Sequence, residues 1–143
     1  MSISRSLEIA ASGLTAQRVR MDTIAGNIAN INTTRTADGQ PYRRRVAVLQ
    51  AQGGGFAGAF GRAREGAAGV RVARIAEDRS PLRRVYEPGH PDADAQGYLT
   101  MPNVNPVTEM VDLMMATRAY EAGVSAIGAT RQMQQKALEI GRA

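Results

Sequence analysis

The segment that decides the fold runs from Asn105 to Ile140 and reads NPVTEMVDLMMATRAYEAGVSAIGATRQMQQKALEI. Asn105 suits the N-cap of a helix because its side chain can accept hydrogen bonds from the first free backbone N–H groups. Pro106 suits the first helical position, where a missing N–H costs nothing. Glu109 and Asp112 lie near the start and basic residues near the end, as the helix dipole favours. The sequence therefore predicts a long helix over residues 105–143.

Apolar residues form two lines along this predicted helix. The first line contains Met110, Leu113, Tyr120, Val124 and Ile127. The second line is rich in alanine, lies about 140° away around the helix axis, and contains Met115, Ala119, Ala122, Ala126, Ala129 and Met133. A helix with two apolar lines needs more than one partner. We expect the first line to pack inside the subunit and the second to be covered by other copies or other proteins.

The N-terminal third predicts a second long helix, because apolar positions recur at alternating spacings of three and four residues. The run from Asn30 to Thr34 ends it, since Asn and Thr prefer caps and turns. We expect the two helices to pack as an antiparallel, coiled-coil-like pair. The side chains predicted to face the C-terminal helix are Leu7, Leu14, Met21, Ile24 and Ile28.

Between the helices, Val- and Arg-rich runs at residues 43–50, 70–75 and 82–86 predict short antiparallel strands. The segment Gly53–Gly69 is glycine-rich and predicts a flexible loop, and residues 88–94 predict turns. The predicted fold is mainly α with a small β-rich middle. It divides into an N-terminal helix over residues 1–33, the middle over 34–104 and a C-terminal helix over 105–143.

The composition indicates a folded chain with a modest core. The chain has 143 residues, no cysteine and only 4% aromatic residues, which excludes a disulfide framework and any Cys-ligated metal site. No stretch approaches the about 18 apolar residues of a membrane-spanning helix. The first fifteen residues lack the apolar run of a Sec-type signal peptide. We therefore expect a protein that stays in the cytosol or leaves it without a cleaved signal.

No catalytic, metal or cofactor site is predicted. His90 is the only histidine, so no His-based triad or zinc site can be assembled. Residues 53–58 match G-x-G-x-x-G, but no βαβ unit surrounds them. Asp92 and Asp94 resemble the start of a calcium loop, but Asn103 stands where that loop needs a bidentate carboxylate. The sequence predicts a non-enzymatic protein in which these aspartates set turn geometry.

The net charge of +5 is unevenly distributed. Residues 43–84 hold ten arginines and three acids, whereas residues 85–143 hold seven acids and four basic residues. Such an asymmetry can be complementary between neighbouring copies. We assign Arg43, Arg44 and Arg45 to such a subunit interface, together with Asp92 and Asp94.

A basic nucleic-acid-binding module that uses the Arg43–Arg84 region is the alternative function, because clustered arginine is the usual electrostatic footprint of that class. Against it, the arginines lie on predicted strands and on a glycine-rich loop. Tyr42 is the only aromatic residue beside the cluster, and no known nucleic-acid-binding motif is present.

Four segments resemble the rod and hook proteins of the bacterial flagellum. The run DTIAGNIANINT, from Asp22 to Thr33, resembles their N-terminal signature, with Gly26 in place of the first of two adjacent asparagines. Three later runs are similar to subunits of the proximal rod: NTTRTADGQPYRRR (32–45), YEPGHPDADAQGYLTMPNVN (86–105) and EMVDLMMATRAYEA (109–122). Gly123 and Gly128 stand where this family often has asparagine.

The resemblance implies a structural subunit of the basal-body rod, a helical polymer that transmits torque to the hook and filament. Both terminal helices would form its inner core. The implied partners are other copies, proximal- and distal-rod proteins, the membrane-ring junction protein and the type III export apparatus. The implied location is the periplasm, reached without a cleaved signal. Asn27 and Asn30 are assigned to the subunit interface, with capping and interhelix hydrogen bonding as their simpler role.

Overall fold

The computed structural model describes residues 3–52 and 69–141. Helix α1 comprises Ile3–Ala29 and helix α2 comprises Pro106–Ile140. Four strands lie between them in sequence: β1 (Arg45–Ala51), β2 (Val70–Glu77), β3 (Arg83–Tyr86) and β4 (Tyr98–Met101). The predicted fold, two long helices with short antiparallel strands between them, is confirmed. Apart from Gly69, the segment predicted to be a flexible loop lies outside the described residues.

Helix α1 ends where the sequence predicts, at Asn30. The Asn30 side-chain amide donates to the carbonyl oxygen of Gly26 at 2.9 Å, and the Asn30 backbone N–H donates to the same oxygen at 3.1 Å. Thr33 Oγ1 then donates to Asn30 Oδ1 at 3.1 Å. These bonds use carbonyl and side-chain groups that would otherwise be unpaired after the last helical turn.

Helix α2 begins with the predicted cap. Asn105 Oδ1 accepts hydrogen bonds from the backbone N–H groups of Val107 at 3.0 Å and Thr108 at 3.4 Å, and Pro106 occupies the first turn. The helix has 35 residues against 27 in α1, so it is roughly 50 Å long.

The strands form two separate antiparallel hairpins. In the first, Arg45 of β1 lies opposite Glu77 of β2, with an irregularity between Val48 and Leu49. In the second, Tyr86 of β3 lies opposite Tyr98 of β4. Strand β4 was not predicted from the sequence. Gly97 precedes it with a φ of +82°, and a Cβ there would lie 2.9 Å from Tyr86 Cε2, so glycine is needed at this turn.

The two helices pack antiparallel, and three contacts fix their register. Asn27 Nδ2 lies 2.9 Å from Glu109 Oε2, and Thr117 Oγ1 lies 3.6 Å from Met21 Sδ. Nearer the start of α1, the Leu14 side chain packs against Gly123, where an added Cβ would lie 2.7 Å from Leu14 Cδ2. By this register the start of α1 lies level with Gln134, so the last residues of α2 extend beyond α1.

Helix α1 is the central element of the fold. It contacts α2 and both strands of the first hairpin, and Ser12 Oγ accepts a hydrogen bond from the Val70 backbone N–H at 3.0 Å. The buried hydrophobic residues in the described part of the chain are Ala16, Ile24, Tyr42, Leu99, Val104 and Ala116. Half of these are alanine or valine, so the core is small, as the sequence predicts.

Replacement of Gly128 by alanine is expected to raise the free energy of unfolding by about 0.5–1 kcal/mol, because glycine lowers helix stability and nothing lies within 4 Å of the added Cβ. Gly123→Ala is the matched comparison. Its gain should be smaller, since the Leu14 side chain must move away from the new methyl group. Urea unfolding followed by circular dichroism measures both. Equal gains at the two positions would contradict the close approach of Leu14.

Candidate assembly site

A buried polar cluster joins α1, the segment before β1 and the first turn of α2. Its central residues are Asn27, Arg44 and Glu109. The side chains of Asn27 and Glu109 are fully buried, with 0% exposure, although both residues are polar. Burial of such groups is costly unless every polar atom has a partner, so their bonding decides whether the cluster stabilises the fold.

Every hydrogen-bonding position of the Asn27 amide is used. Its Oδ1 accepts from the Arg45 backbone N–H at 2.8 Å and from the Tyr42 hydroxyl at 3.0 Å. Its Nδ2 donates to the Arg45 carbonyl oxygen at 2.8 Å and to Glu109 Oε2 at 2.9 Å. The Asn27 side chain therefore bonds to both the N–H and the carbonyl group of the Arg45 backbone, as a neighbouring strand would. It also bonds to Glu109 of α2.

Arg44 makes the ionic contacts of the cluster. Its Nε donates to Glu109 Oε1 at 2.5 Å, and its other nitrogens lie 3.3 Å from Asp112 Oδ2 and 3.7 Å from Asp78 Oδ2. The partial burial of Arg44 on its own would lower the pKa of the guanidinium, but the hydrogen bond and charge of Glu109, with the two aspartates, raise that pKa above its ordinary value. The carboxylate of Glu109 is thus paired.

The neighbouring groups hold the segment before β1 in place. Asn103 Oδ1 accepts from the Arg44 backbone N–H at 2.8 Å, and its amide donates to Ser80 Oγ at 2.9 Å. Burial raises the pKa of the Tyr42 hydroxyl, and the nearby Arg45 opposes this more weakly. The backbone N–H of Ser80 holds the pKa of Asp78 below its ordinary value. The cluster therefore connects both helices and both hairpins.

Most of the residues predicted to lie between the helices are buried or half-buried, and Leu14 and Met21 contact α2. Ile24 is buried. The half-buried residues of this set are Leu7, Leu14, Met21, Ile28, Leu113, Tyr120 and Ile127. Two assignments need correction: Met110 and Val124 are 58% and 48% exposed, because the side of α2 that faces α1 also carries Glu109, Ala116 and Gly123.

The predicted subunit-interface residues of α2 all lie on the exposed side of the helix. They are Met115, Ala119, Ala122, Ala126, Ala129 and Met133. Nothing in the described part of the chain buries them. Their assignment to an interface with other subunits remains a prediction.

Other residues assigned to the subunit interface are used within the subunit. Asn27 is the clearest correction, because it is fully buried and bonded on all sides. Asn30 caps α1, and Arg44 is paired with three carboxylates. Asn30 and Arg44 are only half-buried, so their assignment to a subunit interface remains a prediction. The basic residues Arg43 and Arg45 flank the cluster, with Arg43 half-buried and Arg45 exposed.

Asp92 and Asp94 also have partners within the subunit, and their assignment to a subunit interface remains a prediction. Asp92 accepts from Thr34 Oγ1 at 2.8 Å and lies 3.3 Å from an Arg35 nitrogen. Asp94 accepts from the backbone N–H groups of Gln96 and Tyr98, both at 2.9 Å, and pairs with Arg84 at 2.8 Å. The Tyr98 backbone bond is the main reason that the pKa of Asp94 is lowered. These aspartates set the turn before β4.

Sequence reasoning missed Glu109, Tyr42 and Asn103 as members of the cluster. A signal was present for Glu109, because it lies seven residues before Ala116 and so continues the inward line of α2. Tyr42 and Asn103 carry no such signal, since both lie outside the regular elements.

Across residues 3–52 and 69–141, no helix carries the sustained apolar stretch that a membrane span requires.

Comparison of the sequence with known protein families assigns the chain to one class of proteins. Residues 7–35 match the family described as flagella basal body rod protein. Residues 95–140 match the C-terminal family described for flagellar basal body rod FlgEFG proteins. The two matches cover α1 and α2, the helices that the polar cluster joins. They define the class as flagellar basal-body rod proteins.

Individual relatives narrow the class. The chain is 47% identical to the flagellar basal-body rod protein FlgC of Bacillus subtilis, with 99% of this chain and 100% of the relative covered. It is 44% identical to FlgC of Borreliella burgdorferi, with 98% of each covered, and 42% identical to FlgC of Escherichia coli O157:H7, with 99% and 100% covered. The chain belongs to the FlgC family of flagellar basal-body rod proteins. It is a structural rod subunit, and the comparisons give no support to the nucleic-acid-binding alternative.

Proposed function

We propose that the chain polymerises into the proximal part of the flagellar rod, where it transmits torque from the membrane ring to the distal rod, hook and filament. One observation carries the proposal: α2 exposes a long apolar surface on the side away from α1. Its members include Val107, Met114, Met115, Met133 and Ile140, which are 56–78% exposed. Large exposed apolar surfaces mark interaction sites.

The arrangement of the helices supports contacts that continue from copy to copy. Helix α1 covers one side of α2, and residues 131–140 of α2 are exposed all round. The exposed alanines allow a neighbouring backbone to approach closely. A contact between two different surfaces of the same chain generates an open helical polymer when its rotation does not close into a ring. In this proposal, both helices form the inner core of the rod and residues 34–104 lie outside it.

The proposed partners are other copies, other proximal- and distal-rod proteins, the junction protein of the membrane ring and the export apparatus. The proposed location is the rod where it crosses the periplasm. The small core supports passage of the unfolded chain through a narrow export channel, because few buried contacts must be broken beforehand.

The Ala126→Glu substitution tests the proposal. The residue is exposed within the subunit, so we expect little change in folding but at least a tenfold loss of incorporation into basal bodies, since a buried unpaired charge weakens an interface by about 2–5 kcal/mol. Basal bodies are isolated from a flagellated bacterium that lacks its own FlgC and expresses the variant. Arg71→Glu, which places the same charge on an exposed residue of strand β2, is the control. Normal basal bodies with Ala126→Glu would refute the proposed surface.

A further inference from the structure

A cleft with a net positive charge lies on the first hairpin, beside the polar cluster. Its volume is about 850 Å³, and it is lined by Arg43, Arg74, Ile75, Ala76, Glu77 and Arg79. It is open to solvent, so a segment of another molecule can reach it. We call it the arginine cleft.

Glu77 offsets only part of the positive charge of the three arginines that line the arginine cleft. Arg44, Arg35, Arg84 and Arg20 each pair with an aspartate or glutamate. In contrast, Arg74 and Arg79 form no ion pair with any residue in 3–52 or 69–141. Like charges close together repel one another, and a bound carboxylate removes that cost because the guanidinium fork matches it.

The cleft also has an apolar part. Ile75 lies between the arginines and is 52% exposed. A simple polyanion would leave this side chain in water. A protein segment that carries an aromatic or aliphatic side chain beside a carboxylate matches both properties of the cleft.

Such a segment is present at the end of β3. Val85 and Tyr86 are 36% and 64% exposed, and Glu87, the next residue, is exposed without an ion pair to any described residue. The segment is rigidly held: the Tyr86 ring packs edge-on against Tyr98 at 5.3 Å, and the Glu87 backbone N–H donates to the Gly97 carbonyl at 2.9 Å. We call residues 85–87 the acidic tip.

Within one chain, the strands of the two hairpins make no contact with each other. We propose that the arginine cleft of one subunit binds the acidic tip of a second copy, with Glu87 paired to Arg74 and Arg79 and Tyr86 packed on Ile75. This proposal rests on the proposed rod function. Because the two surfaces differ, the contact continues from copy to copy.

Charge exchange tests the contact. Glu87→Arg alone, and Arg74→Glu combined with Arg79→Glu, are each expected to lower incorporation into basal bodies at least tenfold, because an attractive pair becomes repulsive. Glu87→Arg combined with Arg79→Glu should recover incorporation to within about threefold of the parent chain, since opposite charges again face each other. Incorporation is measured in basal bodies from the strain that lacks its own FlgC.

Arg71→Glu is the matched control. Arg71 is exposed on the same strand but lies outside the cleft, where it donates to Gln50 Oε1 at 3.2 Å. It should incorporate normally alone and should not rescue Glu87→Arg. The contact is refuted if Glu87→Arg incorporates normally, or if the exchanged pair gains nothing over the single variants. If these variants assemble while Ala126→Glu does not, the cleft contact fails and the rod function stands.

Disulfide cross-linking gives a second measurement. The chain contains no cysteine, so Ile75→Cys combined with Tyr86→Cys introduces the only thiols. Mild oxidation of isolated basal bodies should produce a ladder of linked subunits from the double variant, and no ladder from either single variant. Absence of a ladder, or a dimer from one single variant, would overturn the proposed contact.

Discussion

Replacement of Glu109 by alanine is expected to lower the free energy of unfolding by about 3–5 kcal/mol. The substitution removes a fully buried carboxylate that pairs with Arg44 at 2.5 Å and accepts from Asn27 at 2.9 Å. The Arg44 guanidinium keeps Asp112 and Asp78 but loses its closest and most deeply buried partner. One N–H of the buried Asn27 amide is left without an acceptor. Removing one partner of a buried ion pair and leaving a buried donor unsatisfied together have a cost of this size. Urea unfolding of the purified full-length chain, followed by circular dichroism, measures the loss.

Asp112→Ala is the control for this prediction. Asp112 also contacts Arg44, at 3.3 Å, but its side chain is 28% exposed. Water replaces a partner of this kind, so the loss should be at most about 1 kcal/mol. Similar losses for the two variants would show that burial of Glu109 does not decide the energy of the cluster.

The Asn27→Ala substitution is expected to lower the free energy of unfolding by about 3 kcal/mol or more. It removes four hydrogen bonds and leaves both backbone groups of Arg45 without their partner. Each buried polar group left unsatisfied costs about 1–3 kcal/mol. The same urea unfolding experiment measures the effect.

Asn27→Asp separates the hydrogen bonds from the shape of the side chain. The new carboxylate can accept from Arg45 and Tyr42 but can donate to neither the Arg45 carbonyl nor Glu109. We expect a loss at least as large as for alanine, because two carboxylates then meet in a buried site. Addition of Glu109→Gln should restore part of the stability, since its amide can donate to the new carboxylate. If Asn27→Asp is as stable as the parent chain, the donor bonds of Asn27 contribute nothing.

The ends of both helices could be predicted because they depend on local chemistry. Asn105 and Pro106 start α2, and Asn30 ends α1, through bonds made within a few residues. Strand β4 could not be predicted in the same way. Its four residues follow a turn whose aspartates and glycines dominate the local pattern, and its pairing with β3 depends on contacts across the turn.

Hydrophobic periodicity predicts only part of the inward side of α2, namely the half-buried Leu113, Tyr120 and Ile127. Apolar residues surround this helix, and the side that faces α1 contains Glu109, Ala116 and Gly123, while Met110 and Met114 are exposed. Two helices can approach closely only where small residues lie between them, and the ion pair with Arg44 requires a carboxylate. Neither a small side chain nor a charged one makes its position more hydrophobic, so the apolar pattern does not mark these positions. The same reason explains why Asn27, a polar residue, was assigned to the surface although it is buried.

The polar cluster affects when the chain can complete its folding. The hydrogen bond between Asn27 and Glu109 spans 82 positions of the chain, and the bonds of Asn27 to Arg45 span 18. A chain that emerges N-terminus first can form α1 early, but it cannot close the cluster until residue 109 has emerged. Folding that depends on such distant contacts is slow and begins late. Under the proposed export of the unfolded chain, the same residues that stabilise the finished subunit would delay its folding until most of the chain has left the channel.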